Sequence, residues 1–265
     1  MKLLVQADDY GFTRGVTYGI VDSIDLGVVR NTGMFVNMPS AKLAAGFMKD
    51  RPHVCFGIDF NYVSGPCCAD PKSIPDLVDE TGNFIRSSAR VRDPRFQSEE
   101  GRRKMLPADQ MYIELKAQYD RFIELTGQKP GYLHVHSLPT ETYIETIRRI
   151  STETGVIFSQ DAIEKYNIAM WLKDHKGSMA KTFDPAAQLQ YDPWEDVNRN
   201  KDYMLSHEYA MVGGHCGYVD ADLLKMSSLS FERFKDAEML MSDEMKQWIS
   251  DNNIALITYY DLVSM

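Results

Sequence analysis

The sequence has few cysteines, and their spacing excludes two classes of protein. The four cysteines among 265 residues are Cys55, Cys67, Cys68 and Cys216, and no C-x-x-C pair occurs. This spacing argues against a disulfide framework and against a zinc site built from thiolates. We therefore expect reduced thiols, as in a cytoplasmic protein.

The chain also lacks long apolar runs and an excess of positive charge. No stretch reaches the roughly 18 apolar residues of a membrane span, and a basic segment followed by a signal-type apolar stretch is missing at the start. The 29 Lys and Arg residues are outnumbered by 38 Asp and Glu, for a formal net charge of -9. Nucleic acids and anionic membranes bind to basic surfaces, so we expect a small-molecule partner instead.

Strand and helix patterns alternate along most of the chain. The first predicted strand covers residues 2–7, and in the following helix Val16, Ile20 and Ile24 recur four residues apart. Further strands are predicted over residues 32–37, 54–61, 132–136, 156–159, 209–214 and 254–259. Such alternation predicts an α/β fold with a parallel sheet, either closed as a barrel or doubly wound. Since no internal repeat or linker divides the sequence, we expect a single domain over residues 1–265.

Two segments interrupt this alternation and are predicted to be long loops. Residues 65–107 are rich in Pro, Asp, Arg and Ser, and residues 160–206 carry Trp171, Tyr191 and Trp194. Loops between regular elements commonly shape substrate specificity. The three aromatic side chains could stack on sugar rings or pin the segment to the core, and the sequence leaves both alternatives open.

Polar residues stand at the carboxyl ends of several predicted strands, where parallel α/β sheets bind their ligands. They are Asp8, Asp9, Asn37, Asp59, Asn61, His134, His136 and His215. The adjacent carboxylates of Asp8 and Asp9 repel each other unless a cation lies between them, although a solvated turn is the alternative. Side chains alternate along a strand, so His134 and His136 share one face, as metal ligands or proton carriers do.

Several short motifs occur in one order from the first strand to the last long helix. They are Ala-Asp-Asp-Tyr-Gly at 7–11, Asn37, Gly-Ile-Asp-Phe-Asn at 57–61, Leu-His-Val-His at 133–136, His-Cys-Gly-Tyr-Val-Asp at 215–220, and Arg233 with Asp236. In these motifs the chain resembles the YdjC/ChbG family of carbohydrate deacetylases. The resemblance covers almost the whole chain, and the two adjacent aspartates followed by Tyr-Gly are its most distinctive part.

The resemblance implies an irregular (β/α) barrel, similar to a TIM barrel, that removes N-acetyl groups from amino-sugars or short chitooligosaccharides. It also implies one divalent metal ion held by an aspartate and two histidines. Asp9 matches the metal-ligand aspartate, and Asp8 matches the catalytic carboxylate that accepts a proton from water. We expect His215 to donate a proton to the departing amine or to stabilise the oxyanion. The expected substrate contacts come from Asn37, His134, Tyr218 and Arg233.

The sequence departs from the family pattern at two positions of the site. Asp59 stands where the family's third strand has a histidine, and His134 stands where the family's fourth strand has an aspartate. The predicted ligand set therefore becomes Asp9, Asp59 and His136, with His134 as the alternative to His136. Two carboxylates and one imidazole favour magnesium, with zinc or manganese as alternatives.

Two other functions remain open at this stage. One is a metal-dependent barrel enzyme acting on a phosphorylated disaccharide, with phosphate held by basic residues such as Arg14, Arg86, Arg90 or Arg92, although no Gly-rich phosphate loop is present. The other is a sugar-binding relative without turnover. In each case we expect a small carbohydrate partner, with a homodimer as one possible assembly.

Overall fold

A sheet of seven parallel strands forms the centre of the fold in a computed structural model that describes residues 1–171 and 184–263. The strands are β1 (Lys2–Tyr10), β2 (Asn31–Met34), β3 (Cys55–Phe60), β4 (Leu133–Val135), β5 (Ala169–Met170), β6 (Tyr209–Gly214) and β7 (Ala255–Ile257). Their order is β4-β3-β2-β1-β6-β5, and β7 pairs with the first residues of β1. The sheet curls into a half-barrel, which confirms the predicted α/β fold.

Helices surround this sheet. In the described residues they are α1 (Arg14–Asp25), α2 (Ala41–Met48), α3 (Ser87–Arg92), α4 (Glu99–Met105), α5 (Ala108–Thr126), α6 (Glu141–Thr154), α7 (Ser159–Lys165), α8 (Pro185–Gln190), α9 (Pro193–Leu205), α10 (Ala221–Met226), α11 (Phe231–Met241), α12 (Asp243–Asp251) and α13 (Tyr259–Val263). The helix after β1 begins where the Thr13 side chain accepts a hydrogen bond from the backbone of Val16. As predicted, Val16, Ile20 and Ile24 are buried on one face of α1.

The first strand is longer than its apolar run. It extends to Tyr10, so that Asp8 and Asp9 lie within β1 and not in a turn after it. The register with β2 shifts between Ala7 and Tyr10, as at a β-bulge, and Asp9 has a φ of +73°. The bulge changes the directions in which the two aspartate side chains leave the strand.

Several predicted elements differ from those observed. Residues 156–159 contribute one isolated bridge, from Phe158 to Leu133, because α7 already begins at Ser159. The predicted last strand ends at Ile257, and Tyr259 begins α13.

The two predicted loops are also largely helical. The first contains α3 and α4, and the described part of the second contains β5, α8 and α9. Residues 172–183 of the second segment lie outside the described residues. Trp171 is buried in the core and the hydroxyl of Tyr191 donates to Asp236, which favours the pinning of this segment over sugar stacking for these two aromatic residues.

The structure also bears on the cysteines and on membrane-spanning helices. All four cysteines lie in the described residues, where none of them is joined in a disulfide. In the part of the chain that the structure describes, none of the helices is both long and apolar enough to span a membrane.

Candidate metal centre

Three potential metal ligands meet at the carboxyl ends of β1, β3 and β4. Each of Asp8, Asp59 and His134 offers one ligand atom, and these atoms all lie within 4.8 Å of one another. Asp59 and His134 are direct partners in the register of β3 and β4, which explains how residues distant in sequence come together. Within residues 1–171 and 184–263, this is the one such group of His, Cys, Asp or Glu.

Asp59 is the most deeply enclosed member of this group. Its Oδ2 accepts a hydrogen bond from the backbone N–H of Asp9 at 2.8 Å, while its buried Oδ1 has no hydrogen-bond partner among the described residues. Burial and the nearby Asp8 and Asp9 raise the pKa of the Asp59 carboxyl well above its usual value. A buried carboxylate with one unsatisfied oxygen and two carboxylate neighbours fits a bound cation, which would offset their repulsion.

The space for Asp59 depends on a glycine in the adjacent strand. A Cβ atom on Gly33 of β2 would lie 1.8 Å from Oδ1 of Asp59. Any larger residue at position 33 would therefore displace the carboxylate. The two residues lie on neighbouring strands, since Gly33 pairs with Gly57 in the register of β2 and β3.

His134 has one ring nitrogen engaged and the other turned toward Asp8. Nδ1 lies 2.7 Å from Oγ of Ser159, and Nε2 lies 3.8 Å from Oδ1 of Asp8. Burial lowers the pKa of His134, with Asp8 opposing this effect, so the neutral imidazole that metals require is favoured. With Ser159 accepting from Nδ1–H, the Nε2 lone pair becomes available to a metal.

The second aspartate belongs to a neighbouring cluster. Asp9 is completely buried, and its Oδ2 accepts from Nη2 of Arg233 at 2.7 Å. Its Oδ1 lies 3.0 Å from Nδ1 of His136, but this contact is not aligned as a hydrogen bond, and Oδ1 has no other hydrogen-bond partner in the described chain. Although burial alone would raise the pKa of Asp9, the neighbouring His136 and Arg233 lower it well below its usual value. The ion pair with Arg233 therefore favours the charged form of the Asp9 carboxyl.

The structure thus divides the ligand set predicted from the sequence between two clusters. Asp59 lies with Asp8 and His134, whereas Asp9 lies with His136 and Arg233. The strand register accounts for the difference, because His134 stands opposite Asp59, while His136 lies beyond the end of β4 and its N–H donates to Phe60.

The other predicted site residues are engaged within the protein. The side chain of Asn37 donates to the carbonyls of Ser64 and Pro66, and the hydroxyl of Tyr218 donates to Asp22. His215 follows β6, where its N–H donates to Asp236 at 2.8 Å, and its charge is among those that lower the pKa of Asp9. His215 therefore lies within electrostatic range of the second cluster, while Asn37 and Tyr218 hold loops in place.

Comparison with known proteins identifies the family. The sequence model of the family described as YdjC-like protein matches residues 2–251. The chain belongs to the YdjC-like family. It is 30% identical over 267 residues to Carbohydrate deacetylase 2 of Listeria innocua, with 99% of each chain covered. It is 26% identical over 271 residues to the chitooligosaccharide deacetylase of Proteus mirabilis, with 98% of each covered.

A solved structure confirms that the fold is shared. It is the crystal structure of an Enterococcus faecalis protein named for cellobiose-phosphate cleavage, which superposes with a TM-score of 0.78 at 21% identity. The match covers 98% of each chain. The half-barrel is therefore a fold that this YdjC-like chain shares over its whole length.

Three residues of the site were not predicted from the sequence. Gln6 donates from Nε2 to Oδ1 of Asp8 at 2.6 Å, Ser159 contacts His134, and Gly33 makes room for Asp59. Gln6 could have been found, because it precedes Asp8 by two residues and so shares its face of the strand. Ser159 and Gly33 could not, since their roles depend on which elements lie next to each other.

Proposed function

We propose that this YdjC-like protein is a metal-dependent carbohydrate deacetylase that hydrolyses the N-acetyl groups of amino-sugars or short chitooligosaccharides. The names of two relatives that match over almost their whole length support this choice of reaction and substrate class. The observation that carries the metal dependence is Asp59, a buried carboxylate with an unsatisfied oxygen beside Asp8 and His134.

We propose that Asp8, Asp59 and His134 hold the metal ion. Two carboxylates and one imidazole form a set rich in oxygen, which favours magnesium or manganese, with magnesium as our first choice. When bound, such an ion polarises the acetyl carbonyl and acidifies a water molecule. Asp9, Asp59 and His136, the set predicted from the sequence, is the competing assignment, and both sets share Asp59.

The second cluster is suited to moving protons. Arg233 keeps Asp9 ionised, and the Asp9 carboxylate faces Nδ1 of His136. An imidazole whose Nδ1 faces a carboxylate, here at 3.0 Å, can exchange a proton at Nε2, as general acid–base catalysis requires. We assign this role to His136, and His215 remains our candidate for proton donation to the departing amine.

Phosphate recognition receives less support from the structure than deacetylation. Arg90, one of the basic residues considered for it, is 2% exposed, and its Nη2 donates to the carbonyls of Asp76 and Leu77. A guanidinium that is buried and bonded in this way holds the chain around it and is not open to a phosphorylated sugar.

Acetate release tests the proposal directly. The protein, first freed of metal by a chelator, is incubated with N-acetylglucosamine or chitobiose, with magnesium, manganese or zinc added singly. We expect acetate only when a metal is present, and none from the Asp59→Asn variant. Glu114→Gln, which changes a buried carboxylate on α5, is the matched control and should retain activity. Sugar binding without acetate release under every metal would favour the alternative of a non-catalytic relative.

A further inference from the structure

We propose that Tyr259 and Gln6 form a positioning relay that fixes the Asp8 carboxylate for metal binding. The inference rests on the proposed metal site. Nε2 of Gln6 donates to Oδ1 of Asp8 at 2.6 Å, and the hydroxyl of Tyr259 donates to Oε1 of Gln6 at 2.7 Å. Gln6 is 1% exposed and Tyr259 is fully buried, so water does not substitute for either contact.

The chemistry of the three groups fixes the direction of each hydrogen bond. A carboxylate that binds a metal ion only accepts hydrogen bonds, so the Gln6 amide turns its NH2 group toward Asp8. Oε1 of Gln6 then faces the opposite way and needs a donor, which the single hydroxyl proton of Tyr259 supplies. Without that hydroxyl, Oε1 would be a buried acceptor that has lost its donor, and the amide would be held less firmly. Tyr259 therefore stabilises the amide orientation that holds Asp8.

Tyr259 is itself held rigidly by its surroundings. Its ring stacks on that of Tyr132 with 4.1 Å between centroids, and its N–H donates to Oδ1 of Asn31 at 3.0 Å. The side-chain Nδ2 of Asn31, on β2, also donates to the carbonyls of Val5 on β1 and Ile257 on β7. One side chain therefore links the three strands. The relay thus connects the first residue of α13 to the carboxyl end of β1.

The relay acts on Asp8 by limiting the rotation of its carboxylate. With Oδ1 held by Gln6, the plane of the carboxylate is set relative to Asp59 and His134. Groups that orient a ligand in this way typically contribute 10- to 100-fold to metal affinity. Gln6 and Tyr259 are positioning residues in this sense, because they contact the ligand and not the substrate.

Titration of the metal-free protein with Mn²⁺, followed by calorimetry, tests the relay without relying on catalysis. We expect Gln6→Met, which keeps the length of the side chain but removes the amide, to weaken Mn²⁺ binding about 10- to 100-fold. Tyr259→Phe should weaken it about 10-fold, the lower end of the same range. If Tyr259 acts through Gln6, the double variant should bind no more weakly than Gln6→Met alone. Additive losses in the double variant would overturn the relay.

A matched variant separates the relay from a general loosening of α13. The hydroxyl of Tyr166 donates to the carbonyl of Leu262 and so also holds α13, but it does not contact Gln6. Tyr166→Phe should leave Mn²⁺ affinity within about twofold of wild type, well below the 10-fold loss expected for the relay. An equal loss in Tyr166→Phe and Tyr259→Phe would mean that helix docking, and not the relay, controls the affinity.

The remaining outcomes distinguish this inference from the proposed function. Wild-type affinity in Gln6→Met overturns the relay alone. A wild-type protein that does not bind Mn²⁺ overturns both the relay and the metal-dependent function. A wild-type protein that binds Mn²⁺ but releases no acetate overturns the deacetylase proposal, while the variants still decide the relay.

Discussion

Asp8 and Asp9 are adjacent in sequence, but their side chains have different partners. Asp8 is close to two other potential metal ligands, whereas Asp9 forms an ion pair with Arg233 and faces His136. A buried guanidinium already compensates the negative charge of Asp9, so a metal ion would stabilise Asp9 less than it would stabilise a carboxylate that lies near another carboxylate. We therefore propose that the roles of the two aspartates are the reverse of those implied by the family resemblance.

Paired substitutions at these two residues give the first prediction. Asp8→Asn should lower metal affinity, because it removes a charged ligand. Asp9→Asn should keep metal binding but lower kcat by roughly 10²- to 10⁴-fold, the usual contribution of general acid–base catalysis, because His136 loses the negative charge that faces its Nδ1. Metal bound per chain after dialysis and kcat at saturating metal measure the two effects. The opposite pattern would restore Asp9 as the ligand and Asp8 as the proton acceptor.

The limits of sequence reasoning are clearest at this residue scale. The pattern of motifs identified Asp8, Asp9, Asp59, His134 and His136 as site residues, and all five lie in the two clusters. The division between the clusters was not predictable, because it depends on the register of β3 with β4 and on the bulge in β1. Neither the register nor the bulge can be predicted from the residue types alone.

At the scale of elements, the close packing of β2 against the Asp59 side chain gives a second prediction. Gly33→Ala should push Asp59 out of position, since the new Cβ would lie 1.8 Å from Oδ1. We expect a loss of metal affinity comparable to that of removing an orienting group, about 10- to 100-fold. Gly213→Ala on β6 is the control, because a Cβ there meets none of the described atoms within 4 Å. Calorimetric titration of both variants with Mn²⁺ checks this, and equal affinities would show that Asp59 is not a ligand.

A third prediction concerns the contact between α4 and α6. Arg102 donates to both carboxylate oxygens of Glu141, at 2.9 Å from Nε, and this pairing lowers the pKa of Glu141 to about 2. Because the folded-state pKa is depressed, Glu141 stabilises the fold above its ordinary pKa of 4.5, and this stabilisation is lost as the pH falls toward about 2. The Tm of Glu141→Gln should therefore fall less than that of wild type between pH 6 and pH 3. Arg148 pairs with Asp161 at the surface, and Asp161→Asn provides a control with a more exposed ion pair. Parallel Tm curves for wild type and Glu141→Gln would contradict the prediction.

Elements were easier to predict where their apolar pattern was long. β1, β3 and β6 are close to their predicted positions, because each is a largely buried run. The short helices α3 and α4 were missed, since six or seven mostly polar residues carry no clear period. Their start signals are local, as in the side chain of Ser98, which caps α4.

At the scale of the whole molecule, the site concentrates negative charge in a protein that already has a net charge of -9. Asp8, Asp9 and Asp59 lie near one another, and Arg233 neutralises only Asp9. Since burial and its neighbours raise the pKa of Asp59, ionising Asp59 at neutral pH destabilises the metal-free fold. The charged form of Asp59, which binds the metal, therefore destabilises the fold as long as no cation is bound.

This destabilisation gives the last prediction, which concerns thermal unfolding with and without metal. A ligand at 100 times its Kd stabilises the native state by about 2.7 kcal/mol, which corresponds to a rise in Tm of about 5–10 °C for a chain of this size. Wild type should show this rise when magnesium or manganese is added after chelation, whereas Asp59→Asn should not. In the chelator, Asp59→Asn should be at least as stable as wild type, because the amide removes the buried charge without changing the volume of the side chain. Scanning calorimetry of both proteins at neutral pH measures all four values. An equal rise in the two proteins would place the stabilising metal elsewhere, and a metal-free variant much less stable than wild type would mean that Asp59 serves the fold rather than the cation.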